Sequence, residues 1–396
     1  MLLILLLIIF LTGWGFAEYR RHKININRIP VRIHINGSRG KSSVTRLIGA
    51  ALRESDKTIF TKTTGTSPRM IFPDGKEYPV IRAGKPNINE QVGVIRKALE
   101  LGTEVLVTEC MAVQPVLQKF VEEKMIRSTI GLITNIRPDH VDEMGPTMDD
   151  IEKSICGTVP KNGCLFTAEK YYNKQMRKVA AERNTEFILV DGETVSDAEM
   201  EGFPYIEHKD NVALALTVCE RLGINRQSSL RGMKQAEPDS GALKIYDLEF
   251  FEKRIKFVNA FAANDPESYK IIWKMLNIRT KPERKVIALV NSRRDRIQRA
   301  EQLGELIAKD IDADYYVIAG EYTRALVQKA ISLGLNPDKL IEIGDEPVDD
   351  IFERTISLVE KEAIIIGIGN IVGFGNDIAM VFINRGQESV SRNFSN

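Results

Sequence analysis

One stretch, Val31–Val44 (VRIHINGSRGKSSV), constrains the fold of this chain more than any other. An apolar, β-branched run enters a turn with two glycines, and an amphipathic helical pattern begins directly after Gly40. A strand, a glycine turn and a helix N-terminus in this order form a cradle for phosphate, because glycine lets backbone N–H groups approach the oxygens and the helix dipole favours negative charge. The sequence therefore predicts an α/β fold with a phosphate site after its first strand, although an ordinary strand–helix turn gives a similar pattern.

The turn is the short form G-x-x-G-K-S and not the complete G-x-x-x-x-G-K-[ST] motif, because Ile35 stands where the first glycine would be. Lys41 is long enough to reach the β- and γ-phosphates of a nucleotide, and the Ser42 hydroxyl can bind Mg²⁺. We predict that the phosphates are held by Gly37, Ser38, Arg39, Gly40, Lys41, Ser42 and Ser43.

Composition excludes several classes of protein. With 396 residues, 43% of them hydrophobic, the chain is long enough for two or three globular domains. Its net charge is +1, so no general basic field indicates nucleic-acid binding. Four cysteines lack the close spacings of zinc ligands and are too few for a disulfide framework. We therefore expect reduced thiols, as in a cytosolic domain.

Residues 1–17 (MLLILLLIIFLTGWGFA) carry no charged side chain, and a basic cluster, YRRHK, follows at 19–23. Their length is near the lower limit for a helix that crosses a hydrocarbon core of about 30 Å. A cleaved signal peptide is the alternative, but the segment lacks a basic start and a clear small-x-small cleavage site. We predict an uncleaved, single-pass anchor in the cell membrane, with the rest of the chain facing the cytoplasm by the positive-inside rule.

Acidic and histidine side chains follow the next predicted strands. One apolar run ends in Glu109, and a second is followed by Asp139, His140 and Asp142. Because functional residues of parallel α/β sheets gather at the carboxyl ends of strands, we expect these groups near the phosphate turn. The Gly/Thr/Ser/Pro cluster at 62–70 is predicted to be a loop, whose hydroxyls either line this site or form local turns.

A Pro/Gly break at 237–242 separates the chain into two halves. Beyond the break, four apolar runs alternate with helical patterns, which is typical of a Rossmann-like α/β domain. We predict a transmembrane helix at 1–17, a P-loop ATPase domain with a parallel sheet at 30–237, and a C-terminal Rossmann-like α/β domain at 238–396.

The ordered set of G-S-R-G-K-S, T-S-P-R-M, a strand ending in T-E, and T-N-I-R-P-D-H-V-D-E-M-G resembles the Mur ligase and folylpolyglutamate synthetase superfamily of ATP-dependent amino-acid ligases. The similarity continues in the second half, where A-F-A-A-N-D and N-S-R-R-D-R stand where the C-terminal domain of that superfamily closes on the nucleotide. Within the superfamily, the apolar N-terminal segment and the strings K-T-T-G-T, T-E-C-M-A-V and G-I-G-N-I are most similar to the ligase subunits of bacterial poly-γ-glutamate synthases.

The resemblance implies a reaction and a set of site residues. ATP would phosphorylate the terminal carboxylate of a growing poly-γ-glutamate chain, and the amino group of an incoming glutamate would attack the acyl phosphate. Such transfer depends on positioning and charge neutralisation. The implied catalytic residues are Lys41, Glu109 and His140; the implied Mg²⁺ ligands are Ser42, Ser67, Glu109 and His140; the implied nucleotide contacts of the closing domain are Asn264, Arg293, Asp295 and Arg296. The implied partners are small membrane subunits of a synthase complex.

The chain also departs from the superfamily. Cys156 stands where many members carry a carbamylated lysine, and Lys153 is close but out of register, so the means of holding a second metal stays open. An apolar segment stands in place of the UDP-binding domain of the Mur enzymes, which disfavours a UDP-sugar peptide substrate. Two alternatives remain: a folate-type γ-glutamyl ligase, and a membrane-anchored P-loop ATPase that energises an assembly without forming a bond.

Overall fold

The computed structural model describes residues 2–389, apart from 66–67, 83, 85, 204, 239–242, 262, 264–265, 277, 279–283, 295–296 and 372. Its contacts divide the chain into two compact units. The first comprises Met1–Phe203 and Glu207–Asp239, and the second comprises Pro204–Ile206 and Ser240–Asn396.

The first unit is built on an eight-stranded sheet in the order β4-β3-β2-β5-β1-β6-β7-β8. From β2 to β8 in this order all neighbouring pairs are parallel, whereas at one edge the short β3 pairs antiparallel with both β2 and β4. The strands are β1 (Val31–Asn36), β2 (Ile59–Lys62), β3 (Arg69–Ile71), β4 (Glu77–Pro79), β5 (Val105–Glu109), β6 (Ile130–Ile133), β7 (Cys164–Thr167) and β8 (Glu186–Leu189). The predicted loop at 62–70 is thus shorter than expected, because its two ends belong to β2 and β3.

Helices connect these strands, as parallel pairing requires. They are α1 (Leu2–Asn27), α2 (Lys41–Leu52), α3 (Glu90–Glu100), α4 (Pro115–Phe120), α5 (Val141–Met144), α6 (Met148–Ile155), α7 (Lys174–Glu182), α8 (Asp197–Met200), α9 (Lys209–Arg221) and α10 (Arg226–Lys234). A π-helix, Val121–Ile126, continues α4. Every residue of β2, β5 and β6 is buried, which explains why these central strands are apolar apart from the polar residues at the carboxyl ends of β2 and β5.

Helix α1 is longer than the predicted anchor. Its side chains from Leu2 to Arg21 are exposed, whereas His22 and Ile26 are buried in the first unit. Among the described helices, α1 is the one that is long and apolar enough to cross a membrane.

The second unit has a seven-stranded sheet in the order β13-β12-β11-β14-β10-β9-β15. The strands are β9 (Lys244–Phe250), β10 (Lys253–Asn259), β11 (Lys285–Ser292), β12 (Tyr315–Gly320), β13 (Leu340–Gly344), β14 (Glu362–Gly369) and β15 (Gln387–Ser389). The helices are α11 (Pro266–Leu276), α12 (Ile297–Lys309), α13 (Thr323–Ser332), α14 (Val348–Ser357) and α15 (Phe374–Ile383).

Alternate residues of the central strands in the second unit enter two separate cores. On β11, Val286, Ala288 and Val290 pack with residues of α11, α12 and α13, whereas Ile287 and Leu289 pack with residues of α14 and α15. Helices therefore cover both faces of this sheet, as the α/β prediction requires. The antiparallel hairpin of β9 and β10 was not predicted, because its strands are joined by the two-residue turn Phe251–Glu252, both with positive φ, which carries no glycine signal.

Candidate active site

The phosphate turn lies at the carboxyl end of β1 and needs both of its glycines. Gly37 and Gly40 have φ angles of 131° and 79°, a region that side chains rarely adopt. A Cβ on Gly37 would lie 2.0 Å from the hydroxyl oxygen of Thr134, and one on Gly40 would lie 2.8 Å from Oδ1 of Asn211. Thr134 and Asn211 therefore pack closely against the turn, and a larger residue at either glycine position would distort it.

The loop after β6 holds the turn in place through hydrogen bonds. The Ser38 N–H donates to the Asn135 carbonyl at 3.0 Å, and the Arg39 N–H donates to Oδ1 of Asn135 at 3.1 Å. The Thr134 hydroxyl donates to the Arg39 carbonyl at 2.6 Å. Thr134 and Asn135 are supporting residues that the sequence reasoning did not single out, although their position directly after a buried strand is the available signal.

Three predicted residues meet at the start of α2. The Lys41 ammonium donates to the carbonyls of Gly37 at 2.7 Å and Ser38 at 3.2 Å, so its charge lies over the turn. The Ser42 hydroxyl donates to Oε2 of Glu109 at 2.9 Å, and the same oxygen accepts the Thr64 N–H at 2.6 Å. Strand β5 thus delivers its terminal carboxylate to the phosphate turn.

His140 lies beyond β6 and is partly exposed, at 45% of its side-chain surface. It has a left-handed conformation with φ 43° and directly precedes α5. Its Nε2 is 3.8 Å from Oδ1 of Asp139, whose Oδ2 is 3.2 Å from the Arg39 guanidinium. The loop that carries His140 therefore contacts the turn through Asp139 and Arg39.

The donors at this edge suit a nucleotide and a hard metal ion. Mg²⁺ prefers carboxylate and hydroxyl oxygens, which Glu109 and Ser42 supply side by side. Among the described residues, no group of three His, Cys, Asp or Glu side chains is close enough to hold a metal, so nucleotide or water oxygens would have to complete the coordination. The metal roles of Ser42, Glu109 and His140 stay predictions.

A buried lysine lies beside this site and was missed. Lys62 ends β2 with its side chain fully buried, 3.6 Å from Oε2 of Glu90. Burial lowers the pKa of Lys62, while the charges of Glu90 and Glu109 oppose that change. Burial also tends to raise the pKa of Glu90, but the hydrogen bond from Arg82 and the Lys62 charge outweigh it, so this pKa is lowered. A cleft of about 580 Å³ opens next to Met111, which the Lys62 ammonium contacts at 3.8 Å.

A second buried ion pair supports β1 behind the turn. Nδ1 of His34 is 2.8 Å from Oε2 of Glu122 in the π-helix, and Glu122 also accepts hydrogen bonds from the N–H and hydroxyl of Ser128 at 2.8 Å. Burial tends to lower the pKa of His34, but the neighbouring Cys110 and Glu122 side chains outweigh it and raise the pKa above 6.5. The charge of His34 is thus compensated by its partner across the core.

The position of Cys156 does not supply a metal ligand. Its thiol is buried in an apolar core with Ile151 and Ile155, and burial raises its pKa to about 12. Lys153 is exposed, 3.9 Å from Asp150. All four cysteines are free and buried, in agreement with the expectation of reduced thiols.

The predicted residues of the second unit follow β11. Arg293 is half-buried, directly after Ser292 at the carboxyl end of this central strand. Asn264, Asp295 and Arg296, like Ser67 in the first unit, lie outside the described residues. Asn291 is buried at the same strand end, and its Nδ2 donates to the Asn370 carbonyl at 2.6 Å, which joins the loops after β11 and β14.

Two family profiles match the sequence. Residues 35–237 match the Mur ligase middle domain, and residues 245–385 match the poly-gamma-glutamate synthase CapB C-terminal domain. The capsule biosynthesis protein CapB of Bacillus anthracis is 40% identical over 369 residues, which are 92% of this chain and 79% of that protein. The PGA synthase CapB of Bacillus subtilis (strain 168) is 39% identical over 362 residues, 91% of this chain and 92% of that protein.

Solved structures share the fold at low sequence identity. MurF from Acinetobacter baumannii has a TM-score of 0.65 with 15% identity and covers 93% of this chain and 80% of its own. E. coli FolC, in complex with DHPP and ADP, has a TM-score of 0.63 with 14% identity and covers 93% of both chains. A folylpolyglutamate synthase/dihydrofolate synthase from Yersinia pestis, complexed with AMPPNP and Mn ion, has a TM-score of 0.63 with 12% identity and covers 92% of this chain and 93% of its own.

The fold predictions are confirmed by these matches: mixed α/β with parallel sheets in the Mur ligase and FolC arrangement. The resemblance inferred from the motifs is confirmed as well, since two relatives match at about 40% identity over nine-tenths of the chain. The chain therefore belongs to the poly-gamma-glutamate synthase CapB family and is an ATP-dependent ligase with the Mur ligase fold.

Proposed function

We propose that this ligase lengthens a poly-γ-glutamate chain by one glutamate per ATP. The proposal depends on one contact, the hydrogen bond from the Ser42 hydroxyl to the Glu109 carboxylate. This contact lies beside the glycine turn, whose Gly37 carbonyl accepts a hydrogen bond from the Lys41 ammonium. A carboxylate and a hydroxyl beside an ammonium group are donors that would suit a hard metal ion and the phosphates of a nucleotide, which supports the proposal. The names of the two CapB relatives support the same product.

When bound, ATP supplies the phosphoryl group that converts the terminal carboxylate of the chain into an acyl phosphate. The amino nitrogen of glutamate then forms the new amide bond while the phosphate leaves, so the products are ADP, phosphate and one added residue. The backbone of Gly37–Gly40 would hold the phosphates, and the Lys41 ammonium would neutralise charge that develops during both steps.

The remaining residues would hold a divalent metal and the nucleotide. Solved neighbours contain manganese and nucleotides, and we propose Mg²⁺ here, because the available donors are oxygens. Ser42, Glu109 and His140 would bind it, with Ser67 as a further ligand. Asn264, Arg293, Asp295 and Arg296 would contact the nucleotide from the C-terminal domain (238–396).

Helix α1 would anchor the enzyme in the cell membrane through residues 1–17, with the ligase domains facing the cytoplasm, where ATP is available. The exposure of the apolar side chains from Leu2 to Phe16 supports this placement, since in water they would form a large unpartnered apolar surface. We propose that small membrane subunits of a synthase complex are the partners of this segment.

The test is to purify the full chain in membranes and to follow ADP release and γ-glutamyl product with ATP, Mg²⁺ and glutamate. Glu109→Gln should reduce both signals together, whereas Glu182→Gln, an exposed glutamate at the end of α7, should leave both unchanged. ATP hydrolysis without any amide product would favour an ATPase that energises an assembly. Activity that requires a folate acceptor would favour the folate-type ligase.

A further inference from the structure

Helix α1 continues from its apolar half into the body of the first unit without a break. Nε2 of His22 lies 3.0 Å from the Met125 carbonyl of the π-helix and donates to it. Ile26 packs in a core cluster with Val94 and Ile95 of α3. The helix is therefore held at its carboxyl end by contacts with two elements of the ligase body, the π-helix and α3.

The distance between membrane and body follows from helix geometry. His22, the first buried side chain, is five helical steps after Ala17, the end of the apolar segment, and five steps rise about 7.5 Å. The headgroup layer on one side of a bilayer is roughly 5–8 Å thick. Because no flexible linker intervenes, the body begins at the outer limit of the headgroups.

Positive side chains surround the point where α1 enters the body. Arg20, Arg21, Lys23 and Arg28 are exposed on or just after the helix. From the π-helix side come the exposed Lys124 and Arg127, and the Arg127 guanidinium donates to Oδ1 of Asn27 at 3.3 Å. The acidic groups at this edge include Glu18, Glu123 and the exposed Glu104. Glu123 is 3.2 Å from Arg183, and Glu104 accepts a hydrogen bond from the Thr58 N–H at 2.9 Å, so the positive side chains outnumber them. The surface is thus basic, which suits anionic headgroups.

The entry point also defines which edge of the sheet is near the bilayer. Strand β1 begins at Val31, shortly after α1 ends at Asn27, so the helix arrives at the amino-terminal edge. The phosphate turn is at the other end of β1, and six residues of strand span about 20 Å. Because no side chain from Leu2 to Arg21 is buried, α1 leaves the body at this edge and does not lie along it.

We infer that the amino-terminal edge of the first sheet docks on anionic lipid headgroups through Lys124 and Arg127, with the phosphate turn facing away from the bilayer. This docking rests on the proposed role of α1 as a membrane anchor. It goes further, because an anchor by itself gives Lys124, Arg127 and the anionic headgroups no part in holding the ligase against the bilayer.

The orientation is tested by energy transfer with the full chain in lipid nanodiscs. All four native cysteines are buried, so a single introduced cysteine can carry the donor dye. Lys161→Cys and Lys174→Cys form a matched pair, since both are exposed lysines that flank β7, the first at the amino edge and the second at the carboxyl edge. The acceptor dye is attached to lipid headgroups in discs of phosphatidylcholine and phosphatidylglycerol.

We expect transfer from position 161 to be several-fold stronger than from position 174. Equal transfer from both positions in inserted protein would overturn the docking while leaving the anchor intact. A chain that does not float with vesicles would overturn the anchor itself and the docking with it.

The role of charge is tested in the Lys161→Cys background. Lys124→Gln with Arg127→Gln, or discs of phosphatidylcholine alone, should reduce the transfer clearly. The control Lys174→Gln with Lys178→Gln removes the same number of exposed charges from α7 and should leave the energy transfer from position 161 unchanged. Retained ligase activity would show that the Lys124→Gln/Arg127→Gln variant is folded. If its energy transfer is then undiminished, Lys124 and Arg127 do not bind the headgroups.

Discussion

The two α/β units have similar parallel sheets but build their carboxyl edges differently. In the first unit this edge and the strands beneath it contain buried ionisable groups, among them Lys62, Glu109, and the pair of His34 and Glu122. In the second unit the described edge is joined by neutral groups: the Asn291 amide donates to a carbonyl, and the buried Tyr269 hydroxyl donates to the Gly369 carbonyl at 2.9 Å.

This difference between the two units indicates where buried charged side chains are needed. Removing an ion pair from water costs more than burying hydrogen-bonded amides, so buried charges are retained where they serve a purpose beyond stability. In the first unit they lie beneath and beside a phosphate turn, where a negatively charged nucleotide would bind. In the second unit, neutral contacts suffice to fix the loops after β11 and β14 relative to each other.

The largest effect is expected from Lys41→Ala. It removes the cation over the phosphate turn and leaves the core untouched, so ligation should fall by about a thousandfold with an unchanged melting temperature. Steady-state ADP release measures the loss, and Lys57→Ala, an exposed lysine after α2, is the control. Near-normal ligation in Lys41→Ala would contradict the phosphate-turn assignment.

A smaller loss, about a hundredfold, is expected from Glu109→Gln and from His140→Ala. Both variants should also need more Mg²⁺ for half-maximal rate, because each removes a proposed metal ligand. The measurement is a magnesium titration of the initial rate. If His140→Ala follows the wild-type titration curve, the histidine is not a ligand and the motif correspondence fails at that position.

The buried pair behind the turn predicts a pH-dependent stability. Because the folded-state pKa of His34 is raised above 6.5, its stabilisation is complete below about pH 6.5 and is lost as pH rises towards the folded-state pKa. His34→Gln should therefore destabilise the first unit by about 3 kcal/mol at pH 6 and by less at pH 9. Thermal unfolding of the variant and the wild type at both pH values measures the difference.

Two further variants sharpen that comparison between the units. The double variant His34→Gln/Glu122→Gln also lacks the titrating imidazole, so its loss relative to the wild type should fall from pH 6 to pH 9 in the same way, but the loss should be smaller because no unpaired Glu122 carboxylate stays buried. Asn291→Ala breaks a neutral contact of the second unit and should cost about 1–2 kcal/mol at either pH. The contrast between charged and neutral edges would be refuted if Asn291→Ala lost different amounts of stability at pH 6 and pH 9. It would also be refuted if His34→Gln lost the same amount at both pH values.

The smallest effect on nucleotide binding is expected from deletion of residues 1–17, because the side chains of residues 2–17 are all exposed and belong to none of the described core clusters. The shortened chain should be soluble and bind nucleotide normally, yet lose polymer synthesis in cells that carry the partner subunits. Deletion of residues 1–27 is the comparison, because it also removes His22 and Ile26 and should lower the melting temperature. Full polymer export from the shorter deletion would contradict the anchor, and lost nucleotide binding would show that residues 1–17 belong to the fold.

The sequence by itself determined the features that depend on neighbouring residues. The strand, glycine turn and helix around Gly37 and Gly40 are specified within fourteen residues by side-chain periodicity and backbone freedom, and the structure places them as predicted. The carboxylate at the end of β5 was also predictable, because parallel strands bring their carboxyl ends to one edge.

Tertiary structure alone decided which distant groups meet. His34 and Glu122 are 88 residues apart, and Asn36 and Gln118, which share a hydrogen bond of 2.8 Å, are 82 apart. No local sequence pattern predicts either pair, since the first depends on how the π-helix packs against β1 and the second on how α4 packs against it. The attachment of α1 to the ligase body also depends on distant residues. The hydropathy pattern shows that the apolar segment ends at Ala17. Only packing against α3 and Met125 determines that the helix continues into the core.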